Sequence, residues 1–188
     1  MDEFYATTTV WIAEASAAVA NYCDHAEHNE AADRRWILDA GQTLRTAALQ
    51  IAAHEHEDLF ELYAERMRQI EQRNPLWSED APDGAQLVRC ATTWRELQLA
   101  QVEHDRHYHP DVIGLTKFDQ LRHYALHLAK LTGAVAARAA GTGDVDSFRV
   151  RRLPDLMLFG VKLSTVSGER LAQESLRGAG RPLVGRLA

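Results

Sequence analysis

Apolar residues along this chain return every three or four positions, the spacing that gathers side chains on one face of an α-helix and scatters them over both faces of a strand. From about Phe4 to Asp24, Trp11, Ala15, Ala18, Val19 and Tyr22 keep that spacing. A longer pattern from about Asp33 to Arg73 uses Trp36, Ile37, Leu44, Ala48, Ile51, Leu59, Leu62 and Met67, with a break expected near Gly41 or around His54. Asn74 to Gly84, holding Pro75 and Pro82, reads as a loop. A third helix follows over about 85–106; His109-Pro110 closes it because proline disfavours a helical residue before it, leaving 107–116 as loop. Thr116 reads as the N-cap of a fourth helix, with Leu121, Ala125, Leu128, Thr132 and Val135 on its apolar stripe and its end near Gly141. A fifth spans about Ser147 to Leu176, with Leu156, Phe159, Leu163 and Val166 as core positions and Gly168 as an interruption.

Composition agrees with that period. Aromatic residues are 7% of the chain and alanine recurs throughout, a residue supply that favours helices over a sandwich or barrel. With 188 residues, 46% of them apolar, there is material for one good core. The expectation is therefore an all-α, single-domain bundle of about five helices over residues 1–177, followed by a flexible Gly-, Arg- and Pro-rich tail at 178–188.

The net charge of −6 conceals an asymmetry: residues 1–100 hold 18 acids and 8 bases, residues 101–188 hold 9 acids and 13 bases. An acidic chain is poorly suited to non-specific nucleic-acid binding, whereas its basic half suits a small anion. All three lysines, Lys117, Lys130 and Lys162, lie in that half. Cys23 and Cys90 form neither a disulfide framework nor a CxxC pattern, and the chain opens on Asp2 and Glu3 with no long apolar run. A cytoplasmic protein without a membrane span is the expectation.

Five of the nine histidines fall between positions 104 and 127. His104, Asp105, His107 and His109 precede His123 and His127, a pair spaced i, i+4 as a helical metal site requires, so this cluster, with or without His54 or Glu57, is a candidate for Zn, Fe or Cu. The competing reading is a helix end whose imidazoles cap carbonyls without any ion. Glu57, Glu61 and Glu65 stack on one helical face and are a candidate for a divalent cation; the competing reading is a solvated face with Arg66 and Arg68 as counter-charges. No P-loop, GxGxxG, GxSxG or Ser-His-Asp order occurs.

The run His127-Leu-Ala-Lys-Leu-Thr-Gly133-Ala-Val-Ala136, followed by Pro154-Asp155-Leu-Met-Leu-Phe-Gly-Val-Lys162 and continuing to Leu171, resembles the MazG-like all-α nucleoside triphosphate pyrophosphohydrolases over residues 115–176. In that family a Glu-x-x-Glu helix and a Glu-x-x-Asp helix converge on Mg²⁺. Gly133 matches the family's glycine and Asp155 its final aspartate, while Lys130, Leu131, Ala134 and Arg152 replace its other carboxylates. The resemblance implies a homodimer, a nucleotide-like substrate and, for a hydrolase, Mg or Mn, with Asp155 as the retained ligand and His123 or His127 as ligand or general base.

The replacements themselves suggest a pocket for phosphate or carboxylate. His123, His127, Lys130 and Ala134 follow one helical line, Asp155 and Lys162 share a face of the next helix, and Arg151 and Arg152 stand beside it. Three readings stay open: an altered MazG-like protein holding an anionic small molecule, a His-rich metalloprotein with ligands drawn from His104, His107, His109, His123, His127 and Asp155, or a non-enzymatic interaction module pairing acidic and basic halves between protomers.

Overall fold

Six short polar residues divide the chain by capping the first amides of six of its helices. Asp2 accepts from Phe4 and Tyr5, Asp58 from Phe60 and Glu61, Asp83 from Gln86, Thr93 from Glu96, Thr116 from Asp119 and Asp144 from Ser147. The computed structural model describes residues 2–74 and 81–176. Among these, all regular structure is helical: α1 (Glu3–Glu27), α2 (Arg35–His54), α3 (Leu59–Arg73), α4 (Gly84–Cys90), α5 (Trp94–Tyr108), α6 (Pro110–Ile113), α7 (Lys117–Ala139), α8 (Val145–Ser147), a π-helical turn (Phe148–Arg152) and α9 (Leu153–Val166). No helix among the described residues is long and apolar enough to cross a membrane.

The all-α expectation holds, but five helices is too coarse. The 33–73 pattern divides after His54, where His56 takes a positive φ of 57° and Asp58 restarts the helix. The 85–106 pattern divides at Ala91, because Thr93 and Glu96 form a reciprocal capping box that begins α5. The 107–116 loop contains the short α6, with Pro110 in its first turn. The fifth helix ends at Val166 instead of Leu176, and Gly168, at φ 78°, turns the chain out of it. Beyond that turn the backbone runs back along the start of α5, where Trp94 donates to the Glu174 carbonyl (3.3 Å), Arg95 to Ala172 (3.0 Å) and Leu176 to Thr92 (2.9 Å). Most of the expected 74–84 loop and all of the 178–188 tail lie outside the described residues.

Helix α9 is the centre. Every residue from Leu153 to Ser164 is buried, and α2, α3, α5 and α7 pack around it, with α1 outside against α2 and α7. A helix apolar on nearly all sides belongs in an interior. Pro154, lacking an amide, cannot bond the Val150 carbonyl in α-register, which accounts for the wider π turn entering α9.

Gly41 does not break α2; it allows α2 to cross α9 closely. A Cβ on Gly41 would lie 3.1 Å from the Gly160 carbonyl oxygen, and one on Gly160 would lie 2.7 Å from Arg45 Cγ and 3.0 Å from the Gly41 oxygen. Arg45 uses the gap to donate to the Gly160 carbonyl (3.1 Å) and to the Ser164 hydroxyl. Gly133 on α7, by contrast, has nothing within 4 Å of where a Cβ would stand. Gly160→Ala should therefore cost about 1–3 kcal/mol in urea denaturation despite alanine's better helix propensity. Gly133→Ala should gain about 0.5–1 kcal/mol in the same measurement.

Candidate functional site

Two charges sit on the central helix, and each forces a partner inward. Asp155, in the first turn of α9, lies with its side chain 9% exposed against Arg66 of α3, whose Nε donates at 2.6 Å and Nη2 at 3.4 Å. The two contacts form a fork that holds the carboxylate in one orientation. Burial still raises the Asp155 pKa above the ordinary carboxylate value, against the pull of Arg66 and Arg152. Two turns on, the buried Lys162 ammonium stands 2.9 Å from Asp105 of α5. Burial would raise the Asp105 pKa, but Lys162, His104 and His109 together hold it below the ordinary value.

These pairs border a cavity of about 300 Å³ between α3, α6, α7 and α9. His109, His123 and His127 face it beside Asp155 and Lys162; Arg66 enters from α3, with Arg73 and Asn74 at the same helix's end and Asp111 at the start of α6. Ile70, Val112, Leu158 and Phe159 supply the apolar wall. The rings of His123 and His127 are 4.7 Å apart, and His127 stacks on Phe159 at 4.8 Å.

All three imidazoles are held neutral. Burial, then the nearby Lys162, pushes His109 down to about 4. Burial, then His123 and Lys130, takes His127 to about 4, and burial with Lys162 lowers His123. A neutral imidazole offers one donor and one acceptor. Arg66 keeps one buried nitrogen, Nη1, without a hydrogen-bond partner. The cavity therefore presents donors from Arg66, Arg73, Lys162 and the histidines, while its two acids number only Asp155, already paired, and the exposed Asp111.

Of the residues singled out from sequence, Asp155, His123, His127, Lys162 and His109 share this cavity. Lys130 does not line it: the residue is exposed, about one turn further along α7 than His127, the last residue of that helix on the cavity. Arg151 is exposed on the π turn, and Arg152 acts on Asp155 only through its charge. Leu131, at a family carboxylate position, is 2% exposed in the core.

The 104–109 histidines separate into three environments. His104 is fully buried with neither ring nitrogen hydrogen-bonded, 3.5 Å from Glu71 and stacked on Tyr108. His107 lies on Glu103 at 3.2 Å, and only His109 reaches the cavity. Among the described residues, no three His, Cys, Asp or Glu side chains are grouped to hold a metal ion. The acidic patch is likewise occupied by arginines: Glu57 faces Arg149 (3.4 Å), Glu61 faces Arg89 (3.1 Å) and Glu65 faces Arg68.

Sequence reasoning missed Arg73, Asp111 and the inward role of Arg66, and it placed Asp105 with the histidine cluster instead of opposite Lys162. Arg66 had been grouped with the solvent-facing counter-charges, yet it turns inward. One signal was available: Asp155 and Lys162 interrupt an otherwise apolar segment, and buried charges need partners from other helices. A larger groove of about 390 Å³ between α4 and α5, lined by Leu87, Ala91, Leu99 and Ala100, has no comparable convergence of histidines and cations.

Removing one member of the buried pair leaves the other charge uncompensated. Asp155→Ala should cost about 3–5 kcal/mol in urea denaturation, and the apolar double replacement Arg66→Met with Asp155→Leu much less. The histidines set a pH dependence. Because His109 and His127 bind protons near pH 4 when folded but near 6.5 when unfolded, the unfolded chain holds more protons between these values. Stability should be full above about pH 6.5 and fall as pH drops toward 4. The raised Asp155 acts in the opposite direction and only partly offsets two histidines. Chemical denaturation at a series of pH values should show this slope reduced in His127→Gln.

No family model matches the chain, no curated protein matches its sequence, and no solved structure matches its fold.

Proposed function

We propose that the chain binds a small phosphate-bearing anion in the cavity between α3, α6, α7 and α9, as a MazG-like protein whose metal site has been converted to an anion pocket. The observation that carries this reading is the uncommitted donor set: the buried Nη1 of Arg66, Arg73 with no ion pair among the described residues, and three neutral imidazoles around one cavity. A phosphate group supplies the acceptors these donors lack. The stacked His127 and Phe159 give the rest of a nucleotide-like ligand a flat apolar wall.

The residues present do not fit a magnesium cage. A hard divalent cation requires several oxygen ligands, whereas Asp155 is held by Arg66 at 2.6 Å and its neighbouring family positions are Leu131, Ala134 and Arg152. In this reading Asp155 orients Arg66 toward the ligand. Hydrolysis of a phosphoanhydride is a further proposal, with His123 or His127 as the base. It predicts turnover of a nucleoside triphosphate that is lost in His127→Ala.

A second reading has one observation in its favour: His109, His123 and His127 are neutral imidazoles on a single cavity, the form that binds Zn, Fe or Cu. It requires the side chains to draw together. Elemental analysis of untagged protein separates the two, since stoichiometric metal lost in His123→Ala and His127→Ala would favour it over the anion pocket.

Thermal denaturation with orthophosphate, pyrophosphate and nucleoside phosphates tests the main reading. A ligand at a hundredfold its Kd should stabilise the fold by about 2.7 kcal/mol, about 5–10 °C for a chain of this size. Arg73 is exposed at the mouth, so Arg73→Ala should leave the unliganded melting temperature unchanged while weakening binding by about tenfold or more, the loss of one charge-assisted contact. No stabilisation by any phosphate compound at millimolar concentration overturns the proposal.

A further inference from the structure

Lys162 borders a second cavity on its other side. This one, of about 240 Å³, opens between α5, α6, α7 and α9 and is closed on the inner side by Gln101, Asp105, Tyr124 and Lys162. Gln101 is 1% exposed; its carbonyl oxygen accepts from the Tyr63 hydroxyl, which leaves its amide nitrogen, Nε2, buried without a partner. An unpartnered buried donor of this kind destabilises the fold unless something in the cavity receives it.

The neighbouring groups are also donors. Tyr124 is 2% exposed, its hydroxyl makes no hydrogen bond among the described residues, and burial keeps the phenol protonated. Lys117 stands at the mouth with no ion pair among the described residues. Asp105 is the one acid on the lining, and the Lys162 ammonium, 2.9 Å away, already balances it. With that pair neutral as a unit and Arg106 on Glu103, Lys117 is the lining cation without an ion pair among the described residues. The rest of the wall sets Val102, Ile113 and Val166 beside Arg106, Gln120 and Thr165, whose polar groups are engaged by Glu103, by the Ile113 and Leu115 carbonyls, and by Val161 and Gln98.

We propose that this second cavity is a binding site for a short-chain aliphatic carboxylate. The carboxylate receives the Gln101 amide and the Tyr124 hydroxyl, Lys117 supplies the charge, and the hydrocarbon chain lies against Ile113 and Val166. A planar monoanion needs two or three donors and one uncommitted cation, which is what this lining holds; a phosphate dianion would leave charge unmatched. The volume far exceeds that of a single ordered water.

Titration of 15N-labelled protein with butyrate and hexanoate tests the site, because the Gln101 side-chain amide reports directly on its occupant. The expected result is a saturable shift of that amide, tighter for hexanoate. Affinity should weaken about tenfold in Tyr124→Phe, which removes only the hydroxyl, and in the surface variant Lys117→Met. Arg73→Ala, which touches only the first cavity, should leave carboxylate binding unchanged, so this site and the phosphate pocket can fail separately. No saturable shift at tens of millimolar carboxylate overturns the proposal, as does an equal response to butanol or butyramide.

Discussion

The arrangement of this protein depends on a cost that α9 imposes. A helix buried on nearly all sides carries a carboxylate and an ammonium two turns apart, Asp155 and Lys162, and neither charge can leave water without a counter-charge. The counter-charges come from different helices, Arg66 from α3 and Asp105 from α5. These ion pairs therefore fix where α3 and α5 lie along the central helix as well as which faces they turn to it. Apolar packing alone tolerates many exchanges of one hydrocarbon for another, whereas a fork of 2.6 and 3.4 Å between a guanidinium and a carboxylate tolerates far fewer.

Burying charges in pairs leaves residual hydrogen-bonding capacity, and both cavities draw on it. Arg66, paired with Asp155, retains a free Nη1, and beside the Lys162–Asp105 pair the neutral Gln101, whose carbonyl oxygen receives Tyr63, retains a free Nε2. The cavities lie on opposite sides of Lys162. Their chemistry differs through their second walls: histidines and Arg73 on one side, aliphatic side chains with Tyr124 and Lys117 on the other. On the opposite flank α2 follows a different rule. There Gly41 and Gly160 bring two backbones together, and Arg45 binds the Gly160 carbonyl across the crossing.

Helix positions were legible wherever a cap or an apolar stripe stood in the sequence, as at Thr116 and along Leu121, Leu128 and Val135. Of the divisions within apolar patterns, the one after His54 stood among the expected breaks, whereas the one at Ala91 was harder to see, because apolar spacing continues across it and only local capping interrupts it. The Thr93 and Glu96 pair was a visible signal for the second of these. Helical spacing grouped His123 with His127 and Asp155 with Lys162, the family resemblance suggested that the two helices face each other, and all four residues line one cavity. Lys130 does not: seven residues return it to within about 20° of the His123 direction, but they also carry it about 10 Å along the axis, beyond the last α7 residue that lines the cavity, His127.

The sequence by itself determined the helical class, most of the helix starts and the presence of charges within an apolar segment, since these follow from interactions a few residues apart. Only the tertiary structure decided which charges meet. Arg66 and Arg68 are two positions apart on α3, yet one is locked to Asp155 in the interior and the other pairs with Glu65 on the surface. Likewise His104 and His109 share a sequence cluster but occupy a sealed interior and a cavity wall. Two residues on one helix point about 200° apart, and their environments are set by whichever helices pack there, through contacts spanning 89 residues for Arg66 and Asp155.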